Sequence, residues 1–306
     1  MTATGWAGRW WRGGAVAAVA AAFVLGGAGL AARAGDDVRY VALGDSYTAG
    51  PGIPARSADP AGCGRSDHDY PAITAAALGL VLRDVSCGGA TTEDLWAPQP
   101  VPGGPNVPQL AALDDTADVV TVGIGGNDIG FAKIVQACVA VAPVGQPCQD
   151  RFVGPAGDEV SRRIRATGPK VAVVLEEIRR RAPTARIHLV GYPAILPEQG
   201  PGCWPVMPFA PADVPYLRAK QRELNGMLAG EAAAAGAAYV DTYTPSIGHD
   251  ACALPLLRWI EPVVPLAAAA PVHPSATGMR GMARAVTAAI GPPASAPQAG
   301  LRLELG

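Results

Sequence analysis

The chain has 306 residues, 49% of them hydrophobic and only 16% charged, so a sizeable core can be buried. Its formal net charge of −2 excludes the strongly basic surface that nucleic-acid binding uses. Gly 38 and Pro 30 are high counts and point to many ordered loops rather than to long helices.

Residues 1–34 read as a secretory signal peptide. Arg9 and Arg12 make a positive start, residues 15–30 an Ala-rich apolar stretch, and Ala32-Arg33-Ala34 a small-x-small cleavage site. An uncleaved membrane anchor is the alternative, disfavoured because the apolar run is short and Gly-rich. Removing Arg9, Arg12 and Arg33 leaves 21 basic and 26 acidic residues, a net charge of −5. All six cysteines, Cys63, Cys87, Cys138, Cys148, Cys203 and Cys252, follow this segment. An even number in an exported chain predicts disulfides, and of the many pairings the sequential one is the most economical. A zinc site would need Cys-x-x-Cys or His-Glu-x-x-His spacing, which the sequence lacks.

In chain order, residues 38–43 predict a buried strand leading into Gly44-Asp45-Ser46-Tyr47-Thr48-Ala49-Gly50. Ser46 then stands at the strand's C-terminal end, where a helical turn begins; as mere helix cappers, Asp45 and Ser46 would look the same. Residues 51–69 are a loop and 70–80 a helix. Residues 81–86 are a second strand ending at Cys87-Gly88-Gly89, and 98–108 a loop. Residues 118–123 are a third strand ending at Gly125-Gly126-Asn127-Asp128. Residues 138–155 are a loop clipped by their own cysteine pair. Two helices, 156–165 and 169–181, are divided by Thr167-Gly168-Pro169. Residues 186–191 are the fourth strand, 192–211 a Pro-rich loop, 212–235 a long helix and 237–240 the fifth strand. Residues 242–271 are irregular, 275–290 a last helix capped by Ser275, and 291–306 a Pro/Ala tail. The segment 35–290 shows no internal linker or repeat.

Five apolar strands alternating with helices predict a parallel sheet between helix layers, with a site beyond the strands' carboxyl ends. Ser46, Gly89 and Asn127 each follow a different strand at that edge. Ser46 offers a nucleophile. Its own N–H, the Gly89 N–H and the Asn127 amide offer three donors for an oxyanion. Taken singly, Gly88-Gly89 reads more readily as a tight turn and Asn127-Asp128 as a helix cap. Of four histidines, His68 sits in a polar loop, His188 mid-strand and His249 in a turn. His273, in Pro271-Val272-His273-Pro274, precedes the last helix, where its ring can reach the strand ends.

Gly44-Asp45-Ser46, Gly89, Gly125-Gly126-Asn127-Asp128 and His273 resemble, in order, the four blocks of the SGNH (GDSL) esterase/lipase family. The likeness runs from about residue 38 to 290 and is closer to secreted actinobacterial members with three disulfides. It implies a flavodoxin-like three-layer α/β/α fold with a five-stranded parallel sheet, and a secreted ester hydrolase that needs no cofactor and no metal. It also implies Ser46 as nucleophile, His273 as base, and an oxyanion hole of Ser46, Gly89 and Asn127. The sequential cysteine pairing fits that group as well. The family's usual Asp three residues before the histidine is Ala270 here, so the Ala270 carbonyl, or one beside it, is expected to hold Nδ1. Glu261 and Asp250 are the rival, displaced acids.

Trp204, Met207, Phe209, Leu256, Leu257 and Trp259 either line an acyl groove or pack their loops onto the sheet. The expected substrate is a small-molecule or lipid ester, with acetylated sugars open as well. A monomer, transient contact with a lipid surface and an extracellular location are the accompanying expectations. A non-catalytic binding protein on the same scaffold is the alternative. A dinucleotide-binding protein is disfavoured because Asp128 stands where the third glycine of Gly-x-Gly-x-x-Gly belongs.

Overall fold

In the computed structural model the described residues are 37–56 and 59–291; residues 1–34 and the tail from 292 lie outside them. Five parallel strands form the central sheet: β1 (Arg39–Gly44), β2 (Val81–Asp84), β3 (Val119–Gly123), β4 (Arg186–Val190) and β5 (Ala238–Val240). Their order is β2-β1-β3-β4-β5, with Val41 level with Val120 and Thr121 with His188.

Alternation along β1 explains why both faces are covered. Val41 and Leu43 join one core cluster with Val120, Val122, Leu175 and Leu228. Tyr40 and Ala42 join the other with Tyr70, Met279 and Val286. A strand apolar on both sides needs a helix layer on each. Helices α5 (Glu159–Arg181) and α6 (Val214–Ala234) cover the first face; α2 (Tyr70–Leu78) and α7 (Ala276–Ile290) cover the second. The remaining helices, α1 (Ser46–Ala49), α3 (Phe131–Cys138) and α4 (Pro147–Phe152), are short. Ser275 caps α7 by accepting from the Gly278 N–H.

The structure corrects two expectations. Residues 159–181 are one helix rather than two, with Pro169 inside it. Pro169 withholds an N–H from the ladder, which ordinarily costs about 3 kcal/mol. Its neighbours Thr167, Gly168 and Val171 are nevertheless buried, and a Cβ at Gly168 would lie 2.7 Å from Glu231 Oε1 on α6. The Gly-Pro pair is thus the point where α6 approaches, and packing carries the helix through it. The loop expected over 138–155 holds α4 and opens a two-strand hairpin pairing Val153–Gly154 with Gly157–Asp158. The three disulfides are Cys63–Cys87, Cys138–Cys148 and Cys203–Cys252, the sequential pairing.

After β1 the chain moves to β2 on one side, then to β3 on the other. The switch point therefore lies between β1 and β3, where such sheets place their ligands.

Candidate active site

Gly44 ends β1 with φ +153°, and a Cβ there would stand 2.2 Å from Thr48 Oγ1 and 2.7 Å from the Gly123 carbonyl oxygen. Only glycine lets the chain turn so close to β3. The fully buried Gln109 secures this turn: its Oε1 accepts from Gly44 N at 2.7 Å and its Nε2 donates to Gly44 O at 2.9 Å. Asp45 then caps α1, accepting from Tyr47 N at 2.8 Å, and α1 begins at Ser46.

His273 Nε2 lies 2.7 Å from Ser46 Oγ, although the two residues are 227 positions apart. Its Nδ1 lies 2.7 Å from the carbonyl oxygen of Pro271. A carbonyl can only accept, so Nδ1 carries the proton and Nε2 presents its lone pair to the hydroxyl. The expected Ala270 carbonyl is one residue off: it accepts instead from the backbone N–H of His273 at 3.2 Å. The rival acids do other work. The buried Glu261 accepts from the N–H groups of Leu266 and Ala267, and Asp250 from that of Cys252. Burial holds the His273 imidazole below its ordinary value, partly offset by the Pro271 carbonyl.

The loop carrying His273 is pinned from Ser46's own neighbour. Tyr47 OH donates to the Val272 carbonyl at 2.6 Å, and the Tyr47 and His273 rings are 5.0 Å apart. Val272 has φ +59°, a costly conformation for a β-branched residue.

Among the described residues, the backbone N–H groups of Ser46 and Gly89 have no hydrogen-bond acceptor. Asn127 Nδ2 donates to Ala90 O at 2.8 Å, which leaves its second hydrogen free. Asp128 points away, accepting from Thr92 N at 2.9 Å and Thr92 Oγ1 at 2.6 Å. The pair Asn127-Asp128 therefore ties the loop after β3 to the loop after β2, fixing the Gly89 turn.

A pocket opens from Ser46 and Asn127 into an apolar interior lined by Ile129, Phe131, Ile134 and Leu224. Of the aromatic and aliphatic candidates, Phe209 lines it too. Met207 and Trp259 are core residues, Trp259 lying so close to α7 that a Cβ at Gly281 would stand 2.3 Å from its ring. Trp204, Leu256 and Leu257 face solvent.

The other histidines stay apart from Ser46. His188 is buried in β4, its imidazole pushed down to about 4 by desolvation, and His249 stacks on Trp259. Sequence reasoning passed over Tyr192, whose OH donates to Asp45 Oδ2 at 2.6 Å and accepts from Gly126 N at 2.8 Å. It stands two residues past the end of β4, so the strand-end logic that selects Ser46, Gly89 and Asn127 points to it as well.

Residues 42–280 match the GDSL-like Lipase/Acylhydrolase family. Lipase 2 of Streptomyces coelicolor is 44% identical over 260 residues, covering 82% of this chain and 85% of its own. Among solved structures, phospholipase A1 of Streptomyces albidoflavus NA297 superposes with a TM-score of 0.70 at 26% identity, over 83% of this chain and 99% of its own. The extracellular lipase of Streptomyces rimosus superposes with a TM-score of 0.69 at 29% identity, over 82% and 99%. By fold, motif and these likenesses, the chain belongs to the GDSL-like lipase/acylhydrolase family and is an ester hydrolase.

Proposed function

We propose that Ser46 and His273 form a catalytic dyad that hydrolyses acyl esters in two steps. His273 Nε2 takes the Ser46 proton as Oγ attacks the ester carbonyl. The oxyanion rests on the N–H groups of Ser46 and Gly89 and on the Asn127 amide, a missing donor costing about 10²–10³ in kcat. The alcohol leaves with the proton from His273. Water, deprotonated by the same ring, then releases the acid. The 2.7 Å contact between Nε2 and Oγ, with Nδ1 fixed on Pro271, carries this reading.

The apolar lining beyond Ser46 favours a fatty acyl chain over an acetylated sugar, whose hydroxyls would find few partners there. The naming of its relatives as lipases and a phospholipase supports the same choice. Three disulfides support an oxidising, extracytoplasmic location.

Ser46→Ala removes the attacking oxygen and is expected to abolish turnover of p-nitrophenyl acyl esters; retained turnover refutes the dyad. In the parent enzyme kcat/KM falls in acid as His273 protonates, with the midpoint below the ordinary imidazole value because burial lowers its pKa.

A further inference from the structure

Three neighbouring strands end close together at the switch point, and Tyr192 bridges the turns that follow two of them. Asp45 follows β1 directly, Gly126 lies three residues past β3, and Tyr192 itself two residues past β4. The Tyr192 hydroxyl donates to Asp45 Oδ2 at 2.6 Å and accepts from Gly126 N at 2.8 Å. All three residues are buried. Asp45 immediately precedes Ser46, and Gly126 immediately precedes Asn127. The hydroxyl therefore stands between the segment of the nucleophile and the segment of an oxyanion donor.

The bridge is braced on every side. Asn225 of α6 grips the Tyr192 backbone, its Oδ1 accepting from Tyr192 N at 2.9 Å and its Nδ2 donating to Tyr192 O at 2.8 Å. Gln109 grips Gly44 in the same two-bond manner at the nucleophile's end. The Tyr192 ring packs edge-on against Tyr47, with centroids 5.2 Å apart. At the donor's end the approach is close: a Cβ at Gly126 would lie 3.0 Å from Tyr192 Oη.

Other bonds do not do the same work. The last backbone bond between the two segments runs from Asp45 N to Gly123 O at 2.9 Å. Beyond it, among the described residues, the hydrogen bonds of residues 125–128 run to their own turn, to Ala90, to Thr92 and to Tyr192. Ala90 and Thr92 belong to the loop after β2, so only Tyr192 leads directly to the Asp45-Ser46 turn. Satisfying the buried Asp45 would need the first of its two bonds alone. The second reaches the oxyanion side.

We infer that Tyr192 is a positioning residue that fixes the Asn127 amide within reach of the Ser46 adduct, through the bonds Asp45–Tyr192–Gly126. The inference rests on the Ser46–His273 reading of the site. A donor to an oxyanion must be set in place before the charge develops, and a displacement of about 1 Å at such a site can cost about 10²-fold in rate.

The test is a double-mutant cycle on a soluble p-nitrophenyl ester, with Tyr192→Phe and Asn127→Ala. Tyr192→Phe keeps the ring that lines the pocket wall and removes only the hydroxyl. The expected result is kcat lower by about tenfold or more, with KM within about twofold. In the Asn127→Ala background the same substitution should change kcat by less than about twofold, because the donor it aims is gone. Gly126→Ala displaces the donor's end while leaving the Tyr192–Asp45 bond in place, and should show the same loss and the same disappearance. It decides the matter alone if Tyr192→Phe does not fold. The proposal is overturned if either folded variant keeps full kcat, if the loss falls on KM, or if the loss is as large without the Asn127 amide. That last result is what a general loosening of the fold would give. It is also overturned if Asn127→Ala alone leaves kcat intact, an outcome that would leave the dyad standing. Labelling of Ser46 in the parent chain by a serine-directed phosphonate, read by mass, checks the dyad separately; its absence would sink both.

Discussion

Asp45 sits next to Ser46 in sequence, yet its carboxylate faces the interior, held by Tyr47 N and Tyr192 OH. Burial pushes it from 3.8 up to about 7. A carboxyl whose folded pKa is raised binds its proton more tightly in the folded state. Its contribution to stability is therefore complete below about pH 4 and lost as pH rises through about 7, a swing of up to about 4 kcal/mol. Asparagine keeps the shape without the charge and can still accept from Tyr47 N, although its Nδ2 cannot accept from Tyr192 OH. Urea titrations at pH 4 and pH 8 should show Asp45→Asn losing less stability than the parent on going to the higher pH. Asp69 and Asp84, likewise raised by burial, leave a residual slope in both proteins, so the difference between them isolates Asp45. Tyr47 is a positioning residue of another kind: its hydroxyl holds Val272 at positive φ and thereby the His273 ring. Tyr47→Phe keeps the ring packing and loses only that bond. The expected result is kcat about tenfold lower, KM nearly unchanged, the acid limb of the pH profile unmoved, and stability lower by about 1 kcal/mol. An unaltered kcat would mean that the loop holds its strained form unaided.

At the scale of elements, α5 shows where local signals mislead. Gly168-Pro169 reads as a break because proline cannot join the ladder, but the contact with Glu231 of α6 lies far away in sequence and leaves no local trace. Pro169 itself is exposed, so it adds little packing. Pro169→Ala should restore a ladder bond and raise stability by about 1–3 kcal/mol, read as a higher urea midpoint at unchanged slope. No change would mean that the helix is already distorted there by its packing. The five strands, by contrast, were legible because each is a short apolar run bounded by turn residues, and the structure places all five within two residues of expectation at either end. The candidate site was legible for a related reason: Ser46, Gly89 and Asn127 mark strand ends, and a parallel sheet delivers strand ends to one edge. What stayed hidden was the support around them. Gln109, Tyr47 and Tyr192 act through bonds to residues 65, 225 and 147 positions away, and no spacing rule encodes such pairs.

At the scale of the molecule, the site is assembled from loops rather than from the sheet, and the disulfides hold those loops to each other. Cys63–Cys87 closes 24 residues and fastens the loop after α1 to the Gly88-Gly89 turn, where Gly88 N also donates to Cys63 O at 2.8 Å. Cys203–Cys252 closes 49 residues and joins the loop that carries Phe209 to the segment that runs on to His273. Loop entropy assigns about 3.5 kcal/mol to the first closure and about 4 kcal/mol to the second, so their removal should cost similar stability. Their effects on chemistry should differ. Replacing Cys63 and Cys87 together by alanine frees the turn that aims the Gly89 N–H, and kcat on a soluble ester should fall about tenfold or more. Replacing Cys203 and Cys252 should leave that kcat within about threefold, since none of the three proposed oxyanion donors depends on it. Denaturation midpoints for both double variants, with kcat measured where each is fully folded, separate the two roles. Equal losses of stability with equal, intact kcat would show that the Gly89 turn is held without its disulfide, by Asn127, Asp128 and the bond from Gln99 Nε2 to Gly88 O.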